Sequence, residues 1–349
     1  MSNELPFVTI IIPTRPGDAE PTVVAAARGL DYPQDRLEIL VARGQQPSVQ
    51  RNIALRAARG DLIYFLDDDA LPQAGNLRQA VKLFHDPAVA MVGGPNLCPA
   101  GAPLIERVFA VVLSSKLAFG PSCARYDSVG QVRATSEKEL ILCNLMARRA
   151  PVMDLGGFDE ALYPNEENAL MDELQKRGHQ LLYDPQFIAH RRPRPTLKAF
   201  CKMLMTYGRG RAEQFRLHPT LGSALNLVPP LFCVYLVFLP LLCLLFPQGF
   251  RWTGSPPFGL EPSTAPGTDF LLSIESPPFV VWPLFLYALA LLTQTAKSTA
   301  SHGLLRSLLA APLLAAAHVF YGLGFWRGLF TTLKAPGEKP KTNVVLEKL

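Results

Sequence analysis

The sequence predicts an α/β domain, a mostly parallel sheet covered by helices, followed by α-helical transmembrane segments. Three observations predict it. Over the first 190 residues, short apolar runs alternate with amphipathic stretches, the pattern of strands joined by helical crossovers. Beyond residue 225 come three apolar stretches, Leu225 to Phe246, Phe279 to Thr295 and Ser307 to Trp326. Each matches the roughly 17–25 residues that cross a bilayer's hydrocarbon core. Most of the charge lies before residue 225. The predicted divisions are therefore 1–190 for the α/β domain, 191–224 for a basic juxtamembrane segment, 225–333 for the membrane region and 334–349 for a basic tail. Within the membrane region the helices fall at 225–246, 279–297 and 307–326.

Phe7 to Ile12 is too short to span and reads as the first strand, stopped by Pro13. Thr22 to Leu30 reads as a helix and Leu37 to Ala42 as the second strand. Ser48 is placed to cap a helix that runs to Ala58, with Gly60 as its stop. Leu62 to Leu66 is the next strand and carries Asp67-Asp68-Asp69 at its carboxyl end. Leu77 to Phe84 reads as helix, and Val89 to Val92 as a strand stopped by Gly93-Gly94-Pro95. From Ala110 to Thr135 the periodicity is too weak to place an element. The stretch from Glu139 to Ala147 turns apolar again. Gly156-Gly157-Phe158-Asp159 then makes a turn before a charged helix from Glu166 to Arg177, which Gly178 ends, and Leu181-Leu182-Tyr183 begins another strand.

The formal net charge is +5, and its distribution matters more than its size. Between His190 and His218 stand Arg191, Arg192, Arg194, Lys198, Lys202, Arg209, Arg211 and Arg216 against the single acid Glu213. Such a cluster before a first span marks the cytoplasmic side and attracts anionic lipid headgroups. A nucleic-acid patch is disfavoured, because the cluster adjoins a span and holds few aromatics to stack bases. Six cysteines without a CxxC pair fit a reduced, cytosol-facing domain. The segment from Pro247 to Pro278 carries Arg251 against Glu261, Asp269 and Glu275, which suits an external loop. Three spans then place the tail outside, although Lys334, Lys339, Lys341 and Lys348 argue for the inside. The count of three rests on the apolar stretch bracketed by Arg306 and Arg327.

Three carboxylates at the exit of a buried strand repel one another unless a cation shares them. Hard ions such as Mg²⁺ or Mn²⁺ take carboxylate oxygens and keep room for substrate phosphates. In open α/β sheets, ligands sit beyond the carboxyl ends of the strands, where this triplet stands. The bland alternative is a solvated acidic turn.

The opening run Phe7-Val8-Thr9-Ile10-Ile11-Ile12-Pro13-Thr14, then Gln50-Arg51-Asn52-Ile53-Ala54, then Gly60 to Ala70 with its Asp triplet, resembles the start of family 2 glycosyltransferases of the GT-A fold. Gly156-Gly157-Phe158-Asp159-Glu160 with Asn165-Glu166-Glu167-Asn168 resembles that family's second acidic motif. The chain is similar to the membrane-attached bacterial members that build exopolysaccharides, of the succinoglycan ExoA type, over residues 7–215. The resemblance implies a Rossmann-like GT-A sheet and a nucleotide-sugar donor. It implies that Asp67 contacts ribose or base and that Asp69, with Asp67, holds a Mg²⁺ or Mn²⁺ ion bridging two phosphates. Pro13, Thr14, Arg51 and Asp68 fall in the donor-binding motifs, and His190 is a candidate metal or phosphate ligand. Glu167 matches the carboxylate that deprotonates an acceptor hydroxyl, with its neighbour Glu166 as the alternative. A helix N-terminus favours acids through its dipole alone, which is the competing account of both.

A basic motif that closes over the diphosphate is implied for Arg191, Arg192 and Arg194 and for Arg209 and Arg211, since a planar guanidinium binds phosphate oxygens bidentately. A collar of membrane anchors is the other reading. Two departures stand out. Where relatives carry a base-reading acid after the second strand, this chain has Val41-Ala42-Arg43-Gly44-Gln45, which leaves Asp18 or Glu20 as substitutes. No aromatic follows Arg209 or Arg211, which argues against a processive synthase. The expected activity is an inverting transfer of one sugar to a lipid-linked acceptor at the cytoplasmic face of a bacterial inner membrane. A polyprenyl-phosphate acceptor and a non-catalytic membrane scaffold of the same fold are the alternatives.

Overall fold

Seven consecutive buried residues form strand β1 (Val8–Thr14), which lies parallel to β2 (Leu37–Arg43) on one side and β3 (Leu62–Leu66) on the other. This computed structural model describes residues 5–17, 22–162, 165–217, 226–246, 278–332 and 343–349. The other strands of the main sheet are β5 (Val89–Gly93), β7 (Arg133–Ala134), β8 (Asn144–Arg148), β9 (Gln180–Tyr183) and β11 (Val345–Lys348). The eight strands run in the order β11-β2-β1-β3-β8-β5-β9-β7. β5 and β9 are parallel, whereas β8 runs antiparallel to both β3 and β5, and β7 and β11 are antiparallel edges. A second, three-stranded sheet joins β4 (Leu71–Pro72), β10 (Ala189–His190) and β6 (Asn96–Leu97) beside the acidic turn.

Helices cover both faces, which is why the strands read as continuous apolar runs. Along β3, Leu62, Tyr64 and Leu66 pack with Val24 of α1 (Thr22–Arg28) and Leu77 of α3 (Asn76–Leu83). Ile63 and Phe65 point the other way. They pack with Leu55 of α2 (Pro47–Ala57), Val152 of α6 (Arg149–Asp154) and Leu170 of α7 (Glu166–Lys176). Each such large side chain contributes about 1.5–3 kcal/mol on burial.

The region whose periodicity placed nothing forms α4 (Leu104–Leu113), α5 (Lys116–Phe119), a short turn and β7. The segment expected to be a basic juxtamembrane stretch, 191–224, contains in its described part a 21-residue helix, α8 (Leu197–Leu217). Phe200, Leu204, Gly208 and Ala212, spaced four apart, are its buried stripe. Three apolar helices follow, α9 (Val228–Leu245), α10 (Trp282–His302) and α11 (Leu304–Phe330). With the turn before α10 they supply three segments long and apolar enough to cross a membrane, Val228–Leu245, Phe279–His302 and Leu304–Phe330. α11 packs along α8 and against α4, where the Phe109 and Phe200 rings stack with centroids 4.2 Å apart.

The sheet is more mixed than the alternating pattern implies, because β8 returns antiparallel between β3 and β5. Ser48 does not cap α2: Pro47 opens the helix after Gln46, which leaves Ser48 inside it and buried. The expected separate tail is, in its described part, strand β11 of the catalytic sheet. Asp18, Glu20 and most of the expected external loop lie outside the described residues.

Candidate active site

The carboxyl ends of β1 and β3, the first turns of α2 and α7, and the segment after β10 meet at one place. In α2, three consecutive polar residues hold it together. The Gln50 amide donates to Thr14 O at 2.8 Å, tying the end of β1, and also bonds Ala42 O at the end of β2. Asn52 donates to Phe158 O and accepts from Phe158 N, both at 2.8 Å, which pins the Gly156-Gly157 turn. Gly157 has φ +88, and a Cβ there would strike the Asn52 side chain. Arg51 binds Asp67 through Nη2 at 2.8 Å and Glu166 through Nη1 at 3.3 Å.

Arg191 continues the chain of charges. Its Nη2 lies 3.2 Å from Asp67 Oδ2 and its Nε 2.7 Å from Asp69 Oδ1, while Nη1 reaches Cys143 Sγ at 3.2 Å. Burial alone would raise the Asp67 carboxyl, but the Arg191 and Arg51 guanidiniums outweigh it and hold it below the usual carboxylate range. Asp68 moves the other way, raised by burial and then by the charges of Asp69 and Asp67. Glu166, 1% exposed, is pushed up to about 7 by burial and the neighbouring Glu167 charge. Its Oε2 has no hydrogen-bond partner among the described residues.

A cavity of about 480 Å³ opens here. Arg51, Asp67, Glu166, Glu167 and Arg191 line it, and so do Val228, Pro229, Ala317 and Tyr321 of the apolar helices. Arg125 and Arg211 are also on its wall. Arg209 is not brought to it. Two residues apart on a helix are about 200° apart, so Arg209 and Arg211 cannot face one ligand. Arg209 Nε instead lies 3.4 Å from Glu213. Pro13 and Thr14 stand in β1, with Thr14 Oγ1 buried and unpartnered among the described residues.

Asp67 and Asp69 converge on one guanidinium, so the two carboxylates are placed to share a cation, as a phosphate-bound divalent ion requires. His190 sits on β10 with a buried, unpartnered Nδ1, but no group of three or more His, Cys, Asp or Glu is assembled for a metal among the described residues. The fit is to two carboxylates, without the histidine. Arg125 and Cys143 were not legible as site residues, since Arg125 lies in the stretch without periodicity and Cys143 carries no motif; Asn168 stood in the second acidic motif without a role.

A family model, described as glycosyltransferase like family 2, matches residues 2–205, well over half of the chain. The chain belongs to that family. This glycosyltransferase is 29% identical over 180 residues to the pre-mycofactocin glycosyltransferase of two Mycobacterium tuberculosis strains, a match over 50% of this chain and 36% of theirs. Its fold is like that of a mannosyltransferase, PcManGT from Pyrobaculum calidifontis, solved in complex with GDP-Man and Mn²⁺. That likeness has a TM-score of 0.51 at 18% identity and covers 89% of this chain and 87% of the other. The GT-A fold expected from the motifs is present, and a non-catalytic scaffold gives way to a glycosyltransferase.

Proposed function

We propose that this glycosyltransferase is anchored in the bacterial inner membrane, with its catalytic domain on the cytoplasmic side. It moves one sugar from a nucleotide-diphosphate donor to a lipid-linked acceptor, with inversion, in the making of a cell-surface polysaccharide or glycoconjugate of the ExoA type. The observation that carries this reading is the cavity, whose single wall includes both the paired acids and the apolar helices α9 and α11. An acceptor with a polar head and an apolar stem suits such a wall. The GDP-Man and Mn²⁺ in the mannosyltransferase support the donor class.

Asp67 and Asp69 would hold a Mg²⁺ or Mn²⁺ ion, which would neutralise negative charge on the departing diphosphate. Arg191, already bonded to both carboxylates, is placed to exchange one of them for phosphate oxygens. Glu167, on the cavity wall, takes the proton of the acceptor hydroxyl. The oxygen then bonds to the anomeric carbon as the bond to the diphosphate breaks on the opposite face, which inverts that centre.

A second reading keeps the donor and changes the acceptor to a polyprenyl phosphate. Arg211 donates to the neutral Gln214 side chain at 2.9 Å, and Arg125 to Glu137 O and to Asn168 Oδ1. Neither guanidinium makes an ion pair among the described residues, so two cations face the cavity with neutral partners only. An anionic acceptor head would compensate them.

The test is a screen of nucleotide sugars with Mn²⁺, read first as thermal stabilisation and then as transfer to matched acceptors with and without an apolar tail. A donor at 100 times its dissociation constant stabilises the native state by about 2.7 kcal/mol. Equal transfer to the tailless acceptor would overturn the lipid-linked reading.

A further inference from the structure

Strand β11, late in the chain, forms one edge of the catalytic domain's main sheet. Val345 to Lys348 pair antiparallel with β2, opposite Arg43 to Leu40. Glu347 Oε1 lies 2.7 Å from Arg43 Nε, Lys348 Nζ lies 2.7 Å from Glu38 Oε1, and Leu349 N donates to Ile39 O at 3.0 Å. The chain therefore leaves the catalytic domain through α8 and returns to it. On the membrane reading proposed above, a chain that leaves one side of a bilayer and returns to it crosses an even number of times. Among the described residues, three helices are long and apolar enough to cross. Residues 333–342 cannot add a fourth crossing, since they carry Lys334, Glu338, Lys339, Lys341 and two prolines.

α11 is the helix that stays on the catalytic side. Of its most apolar stretch 39% is buried inside the protein, against 11% for α9 and none for α10. Its backbone rests on that of α8, where Gly208, Gly324 and Gly328 leave no room for a Cβ. His318 Nε2 meets Leu117 O at 3.0 Å, and Arg216 Nη1 donates to Gly328 O at 3.1 Å. α9 and α10 are less buried, although both pack on α11, and at Gly322 a Cβ would meet Pro229 O and Cys233 Sγ of α9. Phe232 and Tyr287 pack with ring centroids 4.6 Å apart, and Tyr235 Oη donates to Val280 O at 2.9 Å, so the two helices touch locally while each packs mainly on α11. Both carry bare apolar side chains: Val237, Phe238 and Leu244 on α9, Phe285, Leu286 and Leu289 on α10. The first turn of α9 meets α11, where Trp326 Nε1 donates to Pro230 O at 3.0 Å, and the last turn of α10 meets the end of α4, where Ser114 Oγ lies 3.5 Å from His302 Nε2.

We infer that α9 and α10 alone enter the bilayer, and that α11, held on α8 and α4, lies on the catalytic side as a wall of the acceptor cavity. The carboxyl terminus then shares the compartment of the active site. The lysines of the tail stand inside, where the positive-inside rule puts them.

The experiment uses the full chain in a bacterial host with reporters fused after Leu349. Green fluorescent protein should fluoresce there and alkaline phosphatase should be inactive, whereas phosphatase inserted after Glu261, between α9 and α10, should be active. Active phosphatase after Leu349 on a membrane-bound chain would mean an odd number of crossings and overturn the inference, leaving the anchoring reading intact. Release of the chain by alkaline carbonate would instead remove the anchoring reading and this inference with it. Arg43→Cys with Val345→Cys, opposite each other in the ladder, should cross-link in membranes. Absence of that cross-link in an active enzyme would overturn the pairing on which the parity rests.

Discussion

Arg51 holds Glu166 with one terminal nitrogen and Asp67 with the other, so a change of charge at either acid is felt across the site. Glu166 is raised, chiefly by burial, from an ordinary 4.5 to about 7. Between those values the folded chain keeps a proton that the unfolded chain has lost, so stability is fully present below about 4.5 and falls as pH rises to about 7. Thermal unfolding followed across that window should show the decline, and Glu166→Gln should flatten it; an unchanged slope would remove Glu166 as its source. Glu167→Gln should lower the rate constant by roughly 10²–10⁴ with donor binding little changed, if the acceptor presents a hydroxyl. Near-normal turnover in that variant would favour the phosphate acceptor. Asp69→Asn should abolish metal-dependent transfer while the melting temperature holds, and most of the activity surviving at saturating Mn²⁺ would refute its role. Arg211→Lys should impair turnover, because an ammonium cannot reproduce a bidentate fork, whereas Arg209→Lys should not. The acids were legible because a strand exit loaded with carboxylates is costly without a cation. The pairing of Arg191 with both of them was not, since nothing in a run of arginines says which one turns inward.

At the scale of elements, alternation and glycine stops placed β1, β2, β3, β5, α3 and α7 to within a residue or two. Strand β8 escaped as an antiparallel strand because its run, Asn144 to Arg148, reads the same in either direction. The contact of α8 with α11 was also hidden. A basic, modestly apolar segment reads as a collar, and only the facing glycines at 208, 324 and 328 let its backbone sit directly on another helix. Gly324→Ala places a Cβ against Met205 O, which belongs to a helix backbone and cannot step aside. Overpacking of this kind costs about 1–3 kcal/mol, so the melting temperature in detergent should fall. Gly101→Ala, with open space around it, is the control and should melt normally. Equal melting of the two variants would mean that the helices are not in backbone contact.

For the whole molecule, composition separated a charged α/β part from an apolar part, and that division holds. The return of the chain was beyond it: four residues, Val345 to Lys348, in a lysine-rich tail carry no signal of a strand until a partner edge is known. Removing residues 343–349 should bare the edge of β2 and take one hydrogen bond from Glu38, whose carboxyl is held at about 2 by bonds from Lys348, Arg59 and Thr9 against the pull of burial. Light scattering of the truncated enzyme should rise on mild heating, and an unchanged aggregation temperature would show that the strand is dispensable. A sheet whose outermost strand is made so long after its neighbour also has a timetable. Strands β1 and β2 leave the ribosome about 300 residues before β11 does, and local elements form long before such distant ones can pair. The catalytic domain must therefore wait, one edge open, while α8 to α11 are made, and it closes only once Val345 to Lys348 have followed them.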